Sequence, residues 1–384
     1  MRAQSCVPTS LRGLIPLLEP DGPGPDRQLE PLVIDSTVAG RAFQHVEVLS
    51  QRDAHGGLRV WLPLLDGAER LGVIGVTVAD PAAVDRDGGL LRTRLLRFAA
   101  LAAELVMTKT LYGDTLVRLR RRQQVGLAAE MQWALLPPLT FASRQVTIAA
   151  ALEPAYEVAG DSVDYAVDAG RASLAIFDGM GHGLRSALLA VLAVAAYRNA
   201  RRARLPLTDT AEAIDSAVAT TFGGEAFVTA ALAELDTDTG LLSWVNAGHP
   251  EPLLLRGRQQ VKSLHAHPTL PLGLGPAFDR SAATIAVGRE QLEPGDQVLL
   301  HTDGVTDIRS PAGEFFGADA LTDLLAANLA AGLPAPETMR RVVRALLAHQ
   351  QGQLEDDATM LLAEWRSGHE EAVIPSWIEP VRSH

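Results

Sequence analysis

Apolar residues along this chain form short strand-like runs and longer helical stretches, and the balance between the two changes along the sequence. In residues 1–88, short apolar runs alternate with turns rich in Gly, Pro and Asp, and residues 58–78 predict an antiparallel hairpin. Residues 89–135 contain no proline and predict one long helix. A coiled-coil-like seam recurs every seven residues on this helix, at Phe98, Leu105, Tyr112 and Leu119.

The part of the chain from residue 140 to residue 366 mixes both patterns. Strands are predicted near 146–152, 172–177, 228–235, 241–246, 252–256, 283–287, 297–301 and 359–365. Helices are predicted near 183–203, 208–222, 318–331 and 336–351. Because strands and helices do not alternate strictly, a doubly wound parallel sheet is disfavoured, and an antiparallel β-sandwich flanked by helices is favoured.

These patterns predict an α+β protein built from successive regions. The expected regions are a small α/β domain of sensory type over 1–88, a linker and dimerisation helix over 89–138, a larger domain over 139–366, and a polar tail over 367–384 that we expect to be disordered. The hairpin at 58–78 resembles the closing hairpin of GAF-type sensory domains. A small-molecule ligand of this first domain is therefore expected, and the seam on the helix over 89–135 predicts a homodimer.

Composition narrows the function classes. The net charge of −12 argues against broad nucleic-acid binding, which needs a basic face. The single cysteine, Cys6, excludes a disulfide framework within the chain and fits a reducing compartment. Residues 1–20 lack the pattern of a signal peptide, and no apolar run reaches the length of a membrane span. We expect a cytoplasmic protein that contacts neither membrane nor nucleic acid.

Four acidic groups beside apolar runs carry the candidate chemistry: Asp161, Asp178, Asp303 and Asp356. Any one Asp-Gly pair is explained more simply as a turn, because strands end in turns of this composition. Several carboxylates that converge on one edge of a sheet, however, require a positive charge to cancel their repulsion. Oxygen ligands without a thiol or a histidine cluster suit a hard divalent cation, Mg²⁺ or Mn²⁺.

Six short motifs in order place these acids in a known pattern. They are Leu135-Leu136-Pro137, EVAGDSVD around Asp161, DGMGHG from Asp178, NAGHPEP from Asn246, TDGVTD from Thr302 and DDAT from Asp356. Together they resemble the metal-dependent PPM-type serine/threonine protein phosphatases, in the bacterial branch of SpoIIE and the stress-response phosphatases. The resemblance covers roughly residues 130–366 and implies an antiparallel sandwich flanked by helices.

The resemblance also implies a centre with two Mn²⁺ or Mg²⁺ ions and a water that they activate. Asp178 would bridge the ions, Asp161 and the carbonyl of Gly179 would complete one site, and Asp303 and Asp356 would complete the other. The catalytic residues implied are Asp178, Asp161 and Asp303.

Two neighbours of these acids are expected to support them. Asp164 matches a position just beyond the first metal acid, and His182 could orient water or a phosphoryl oxygen. A turn residue bound to backbone is an equal interpretation of His182 and the simpler interpretation of His249.

The expected function is hydrolysis of phosphoserine or phosphothreonine on a bacterial regulatory protein, of the anti-sigma factor antagonist type. One alternative is a degenerate phosphatase fold that binds a partner without catalysis, which the complete set of four acids disfavours. The other is a phosphatase of small molecules, which a deep and lidded pocket would favour over a shallow open site.

Overall fold

The structure is a computed structural model. The structure describes residues 2–10, 13–16, 32–52, 56–84, 89–110, 113–114, 126–153, 160–257, 260–267, 269–275, 285–351 and 357–366. The chain divides between Gln124 and Val125 into two compact units. The predicted boundaries at 88 and 138 thus differ from the division that the structure shows.

The first unit is built on an antiparallel sheet in the order β3-β2-β1-β6-β5-β4. Its strands are β1 (Arg2–Ser10), β2 (Gly13–Pro16), β3 (Leu32–Val33), β4 (Leu49–Arg52), β5 (Leu58–Asp66) and β6 (Glu69–Val78). Strands β5 and β6 form the hairpin predicted at 58–78, from Leu58 opposite Val78 to Asp66 opposite Glu69. Helix α1 (Val38–His45) packs Phe43 with Trp61 and Val73 of this sheet.

Helix α2 (Leu90–Thr110) is part of the core of the first unit. Leu95, Ala99 and Ala103 are buried and cluster with apolar residues of β5 and β6, whereas Phe98 and Leu105 are 43% and 61% exposed. The helix therefore has one buried face, and the two predicted seam residues on it point away from the core.

The prediction of one unbroken helix over 89–135 is wrong. Gly113 and Asp114 are not helical, and the next described helix, α3 (Leu127–Leu135), begins after Gly126 as its N-cap. Glycine costs about 1 kcal/mol in a helix interior, which explains why the chain is not helical at Gly113 and why Gly126 precedes the next helix rather than lying inside it. Tyr112 and Leu119 of the predicted seam lie outside the described residues.

The second unit contains two antiparallel sheets. One has the order β15-β12-β11-β10-β9, from strands β9 (Asp161–Asp168), β10 (Arg171–Gly179), β11 (Val228–Asp236), β12 (Leu241–Ala247) and β15 (Gly288–Gln291). The other has the order β14-β13-β16-β17-β8-β7, from strands β7 (Thr140–Ala142), β8 (Val146–Glu153), β13 (Leu253–Arg256), β14 (Gln260–Ser263), β16 (Gln297–His301) and β17 (Ala358–Trp365).

Alternate residues of the central strands face different layers. Leu174 and Ile176 belong to a core shared with residues of the other sheet, including Leu300 and Leu361. Ala175 and Phe177 instead pack against helices α4 (Leu184–Arg202) and α5 (Leu207–Phe222). This alternation, the period of a β-strand, fixes which side chains point between the sheets and which point towards the helices.

Three further helices complete the unit: α6 (Asp303–Thr306), α7 (Gly317–Ala330) and α8 (Ala335–His349). Helix α8 packs on β8 and β17 and so covers the second sheet. The prediction of the α+β class, with antiparallel sheets and flanking helices, is confirmed. Within the described part of the chain, no helix is both long and apolar enough to cross a membrane.

Candidate metal centre

Asp161 and Asp178 are directly opposite each other in the antiparallel pair of β9 and β10. Val163 and Ile176, two residues from each acid along the strands, lie in the core between the sheets. Because side chains two apart share a face, both carboxylates point into the same space between the sheets, at its edge. The pairing explains how two acids 17 positions apart in the sequence come together.

The surroundings of Asp161 disfavour the ionised form of its carboxyl group. Its side chain is almost fully buried, with 4% exposed. Burial raises the pKa of Asp161 well above its usual value, and the negative charges of Asp178 and Asp357 raise it further, while hydrogen bonds from Thr359 and Thr302 act in the other direction. A nearby cation would reverse this balance and favour the ionised form.

Asp303 reaches the same edge from the other sheet. It follows β16 directly after Thr302 and is exposed at the start of α6. The hydroxyl of Thr302 donates a hydrogen bond to Oδ2 of Asp161 at 2.8 Å. Since Thr302 and Asp303 are adjacent, this bond fixes the segment of Asp303 beside Asp161.

The predicted backbone ligand, Gly179, lies in a crowded position. Its amide donates to the carbonyl of Gly160 at 2.9 Å, and its own carbonyl accepts from the hydroxyl of Ser186 at 2.8 Å. A Cβ atom on Gly160 would come within 2.6 Å of the Gly179 carbonyl oxygen. Glycine at 160 therefore permits a close approach of the two strands beside the acids. Ser186 was not identified from the sequence.

His249 is tied to the strand beside Asp178. Its Nδ1 lies 2.8 Å from the hydroxyl of Thr229, and Thr229 is the residue opposite Asp178 in the β10–β11 pair. Asn246 holds its backbone by accepting from the His249 amide at 2.8 Å and donating to the His249 carbonyl at 2.8 Å. Burial, followed by the nearby His301, lowers the pKa of His249 to about 3. The interpretation of His249 as a simple turn residue therefore misses its side-chain contact.

Gln132 of α3 is another residue that sequence reasoning missed. Its side chain is 1% exposed, and its Nε2 donates to the Asp161 carbonyl at 2.8 Å and to Oδ2 of Asp357 at 2.9 Å. Its partners are 29 and 225 residues away, so no local pattern could have indicated them.

The two expected supporting residues lie elsewhere or remain open to solvent. Asp164 alternates with Asp161 along β9, faces α4, and forms ion pairs with Arg198 at 2.7 Å and Arg201 at 3.3 Å. These ion pairs hold the Asp164 carboxylate at α4, and its support of the metal acids stays a prediction. His182 is exposed in the turn between β10 and α4.

The chemistry of the acids at this edge, oxygen donors without a thiol, suits a hard divalent cation. Asp161, Asp178 and Asp303 provide carboxylates from three segments, and burial and charge repulsion leave Asp161 in need of positive charge. Asp356, the fourth predicted ligand, lies outside the described residues. Among the residues that the structure describes, no group of three or more His, Cys, Asp and Glu is already arranged to enclose a metal ion.

The family model described as Stage II sporulation protein E (SpoIIE) matches residues 168–366, just over half of the chain. The chain belongs to the SpoIIE family. The matched residues contain Asp178, Gly179, Asp303 and Asp356, and Asp161 lies before them. The resemblance to the SpoIIE and stress-response branch of PPM-type phosphatases is thereby confirmed.

Curated relatives agree with this branch. The chain is similar to the phosphoserine phosphatase RsbU of Bacillus subtilis, with 23% identity over 241 residues, which cover 63% of this chain and 70% of RsbU. It is also similar to protein IcfG of a Synechocystis species, with 31% identity over 151 residues, or 39% of this chain and 22% of IcfG. The chain thus spans about a fifth of IcfG.

Solved structures extend the comparison to the fold. The RsbU and RsbW domains of Rv1364c from Mycobacterium tuberculosis match with a TM-score of 0.50 and 26% identity, covering 58% of this chain and 62% of that one. The SiaA-PP2C domain of Pseudomonas aeruginosa matches with a TM-score of 0.52 and 23% identity, covering 62% and 94%. The second of these likenesses concerns the fold alone.

Proposed function

We propose that this chain is a metal-dependent protein-serine/threonine phosphatase. The observation that carries the proposal is the direct pairing of Asp161 with Asp178 at the edge of the sheets, with Asp303 fixed beside them through Thr302. The names of RsbU and RsbP, both phosphoserine phosphatases, support the same chemistry.

In this proposal, the chain would hold two Mn²⁺ or Mg²⁺ ions: Asp178 would be shared by both, Asp161 and the Gly179 carbonyl would hold one, and Asp303 and Asp356 would hold the other. When bound, the ions would supply an activated water and would neutralise charge on the phosphoryl oxygens. The chain's own residues would keep these ligands in place: Asp161 accepts a hydrogen bond from the Thr302 hydroxyl, and Asp178 lies opposite Thr229, whose hydroxyl contacts His249.

The exposure of the edge favours a protein substrate. Asp303 and His182 are exposed, and Met180, next to Gly179, is 41% exposed. An open site of this kind can accept a phosphorylated side chain on a folded partner, whereas metabolites are usually enclosed. The proposed substrate is a phosphoserine or phosphothreonine of a regulatory protein of the anti-sigma factor antagonist type, and the proposed assembly is a homodimer with a ligand-sensing first unit.

The test is hydrolysis of an aryl phosphate and of phosphoserine, phosphothreonine and phosphotyrosine peptides, with Mn²⁺ or with chelator. We expect metal-dependent hydrolysis of the aryl phosphate and of the serine and threonine peptides. Asp168→Asn is the matched control, because Asp168 is an exposed acid at the far end of β9. No turnover with any substrate would support the non-catalytic alternative.

A further inference from the structure

The hydroxyl of Thr302 donates a hydrogen bond to Asp161, although Thr302 occupies an N-cap position, where the side chain usually bonds to its own helix. Thr302 is the N-cap residue of α6, and threonine at an N-cap usually accepts a hydrogen bond from the first turn of its helix. Here the side chain makes no such bond. It donates instead to Oδ2 of Asp161 at 2.8 Å. The short helix that starts at Asp303 therefore begins without its usual side-chain cap.

The same hydroxyl also receives a hydrogen bond. The amide of Thr359 donates to it at 3.2 Å, and the amide of Thr302 donates to the Thr359 carbonyl at 3.1 Å. A single oxygen thus joins three segments: the start of β9 at Asp161, the end of β16 next to Asp303, and the start of β17, just after Asp356. Thr302 is fully buried, so water does not compete for these bonds.

We infer that Thr302 is a positioning residue for the metal centre: its hydroxyl fixes one oxygen of Asp161 and so sets the orientation in which this carboxylate meets a cation. Donation from a neutral hydroxyl to a carboxylate is a charge-assisted bond, stronger than one between neutral groups. A carboxylate with one oxygen held in this way needs little reorganisation when it binds a cation. This inference rests on the proposed function, because it concerns the same acids.

The experiment compares Thr302→Val, which keeps the shape and removes the hydroxyl, with Thr302→Ser, which keeps the hydroxyl. Mn²⁺ affinity is measured by calorimetry on the metal-free protein, and turnover of aryl phosphate is measured against Mn²⁺ concentration. We expect Thr302→Val to weaken Mn²⁺ binding about tenfold or more, in line with the loss of a hydrogen bond to a charged group, and Thr302→Ser to stay within about threefold of the unchanged chain.

Thr147→Val is the matched control. Thr147 is also a buried threonine, with 3% exposed, but it lies at the other end of the second sheet, opposite Glu364 of β17. We expect its replacement to leave Mn²⁺ affinity unchanged. If Thr302→Val does not fold, Thr302→Cys takes its place, because a thiol is a weak donor of similar size, and Mn²⁺ affinity between that of Thr302→Ser and complete loss is expected.

Three results separate the possible failures. If the unchanged chain binds no Mn²⁺ and hydrolyses no aryl phosphate, the proposed function fails and the inference fails with it. If the unchanged chain binds Mn²⁺ and turns over substrate while Thr302→Val keeps the same affinity, the inference alone is overturned. Equal losses in Thr302→Val and Thr302→Ser would assign the effect to packing and would also overturn it.

Discussion

Gln132 and Asp161 are joined by a buried hydrogen bond of 2.8 Å from the side-chain amide of the first to the main-chain carbonyl of the second. Gln132 lies on α3, whose last residue, Leu135, is the first of the Leu135-Leu136-Pro137 motif, and Asp161 begins β9. The same amide nitrogen also donates to Asp357. The position of α3 is therefore linked directly to two of the segments that form the candidate metal centre.

Replacing Gln132 with Leu tests this link. We expect about a tenfold loss of aryl phosphate turnover and a higher Mn²⁺ requirement, because both acceptors lose their donor and buried polar groups without partners cost about 1–3 kcal/mol. The measurement is turnover over a Mn²⁺ titration, with the exposed Ala134→Ser on the same helix as the control. If the Mn²⁺ titration of Gln132→Leu matched that of the unchanged chain, the contacts of α3 would have no effect on the site.

Asp178→Asn should abolish turnover, with at least a hundredfold loss, because the proposed bridging ligand no longer carries the charge that holds both ions. The metal-free variant should also melt at a higher temperature than the metal-free unchanged chain, since the charge of Asp178 raises the pKa of Asp161 by repulsion. Melting curves in chelator and aryl phosphate assays in Mn²⁺ check the two parts. Turnover near that of the unchanged chain would refute the assignment of the bridge.

Replacing Asp303 or Asp356 should weaken metal binding. Asp303→Ala and Asp356→Ala are each expected to raise the Mn²⁺ concentration for half-maximal activity by about tenfold or more, because each removes one of the proposed charged ligands. Asp357→Asn should have a smaller effect, since Asp357 is buried and bound to Gln132. If Asp357→Asn were inactive and Asp356→Ala active, the ligand in the DDAT motif would be its second acid.

Because its pKa is lowered, His249 should make the folding stability depend on pH. Its pKa is lowered to about 3 in the folded chain, against an ordinary value of 6.5. Between these values the unfolded chain binds the extra proton, so folding stability falls as the pH falls, by up to about 1.4 kcal/mol per pH unit. His249→Gln should be less stable at pH 7, and the difference should shrink as the pH falls below about 6.5.

Chemical denaturation of both proteins at several pH values measures this difference. His265→Gln provides the control, because the side chain of His265 is 78% exposed. A stability difference between His249→Gln and the unchanged chain that stays constant from pH 7 to pH 4.5 would contradict the buried neutral state of His249.

The outward face of α2 should hold two chains together. Phe98, Leu101 and Leu105 lie on one side of the helix and are exposed, with Leu101 at 65%. Burying side chains of this kind contributes about 1.5–3 kcal/mol each, enough for three per chain to sustain a dimer. Light scattering at micromolar concentration should give the mass of a dimer, and Leu101→Glu with Leu105→Glu should give a monomer. Leu241→Glu, at an exposed site in the second unit, should leave the mass unchanged.

Sequence patterns predicted the second unit well where strands are continuous and apolar. The strand at 297–301 and the helix at 183–203 agree with β16 and α4 to within one residue. Strand β9 was missed because its acids at 161, 164 and 168 interrupt the apolar pattern. Two of these acids are stabilised by contacts that only the fold creates: Asp161 by Thr302, and Asp164 by arginines of α4.

The sequence motifs predict the acids of the candidate site but not the groups that contact these acids in the structure. The motifs identified Asp161, Asp178 and Asp303, because carboxylates beside glycines at strand ends are visible in a sequence. Thr302, Thr229 and Gln132 act through partners on other elements, so their contacts depend on strand register and packing. The strand predicted at 283–287 is wrong over its described residues, 285–287, which are not in a strand. The observed strand, β15, begins at Gly288. Trp244 packs so closely against Gly288 that there is no room for a side chain there.

At Gly304, the backbones of two acidic segments, TDGVTD and DDAT, are in direct contact. A Cβ atom at this position would collide with the carbonyl oxygen of Asp357, so the backbones of the TDGVTD and DDAT motifs touch without any side chain between them. An exchange of either motif with that of another family member would alter the spacing of both. In chimeric proteins, residues 302–307 and 356–359 should therefore be exchanged together, although they are far apart in the sequence.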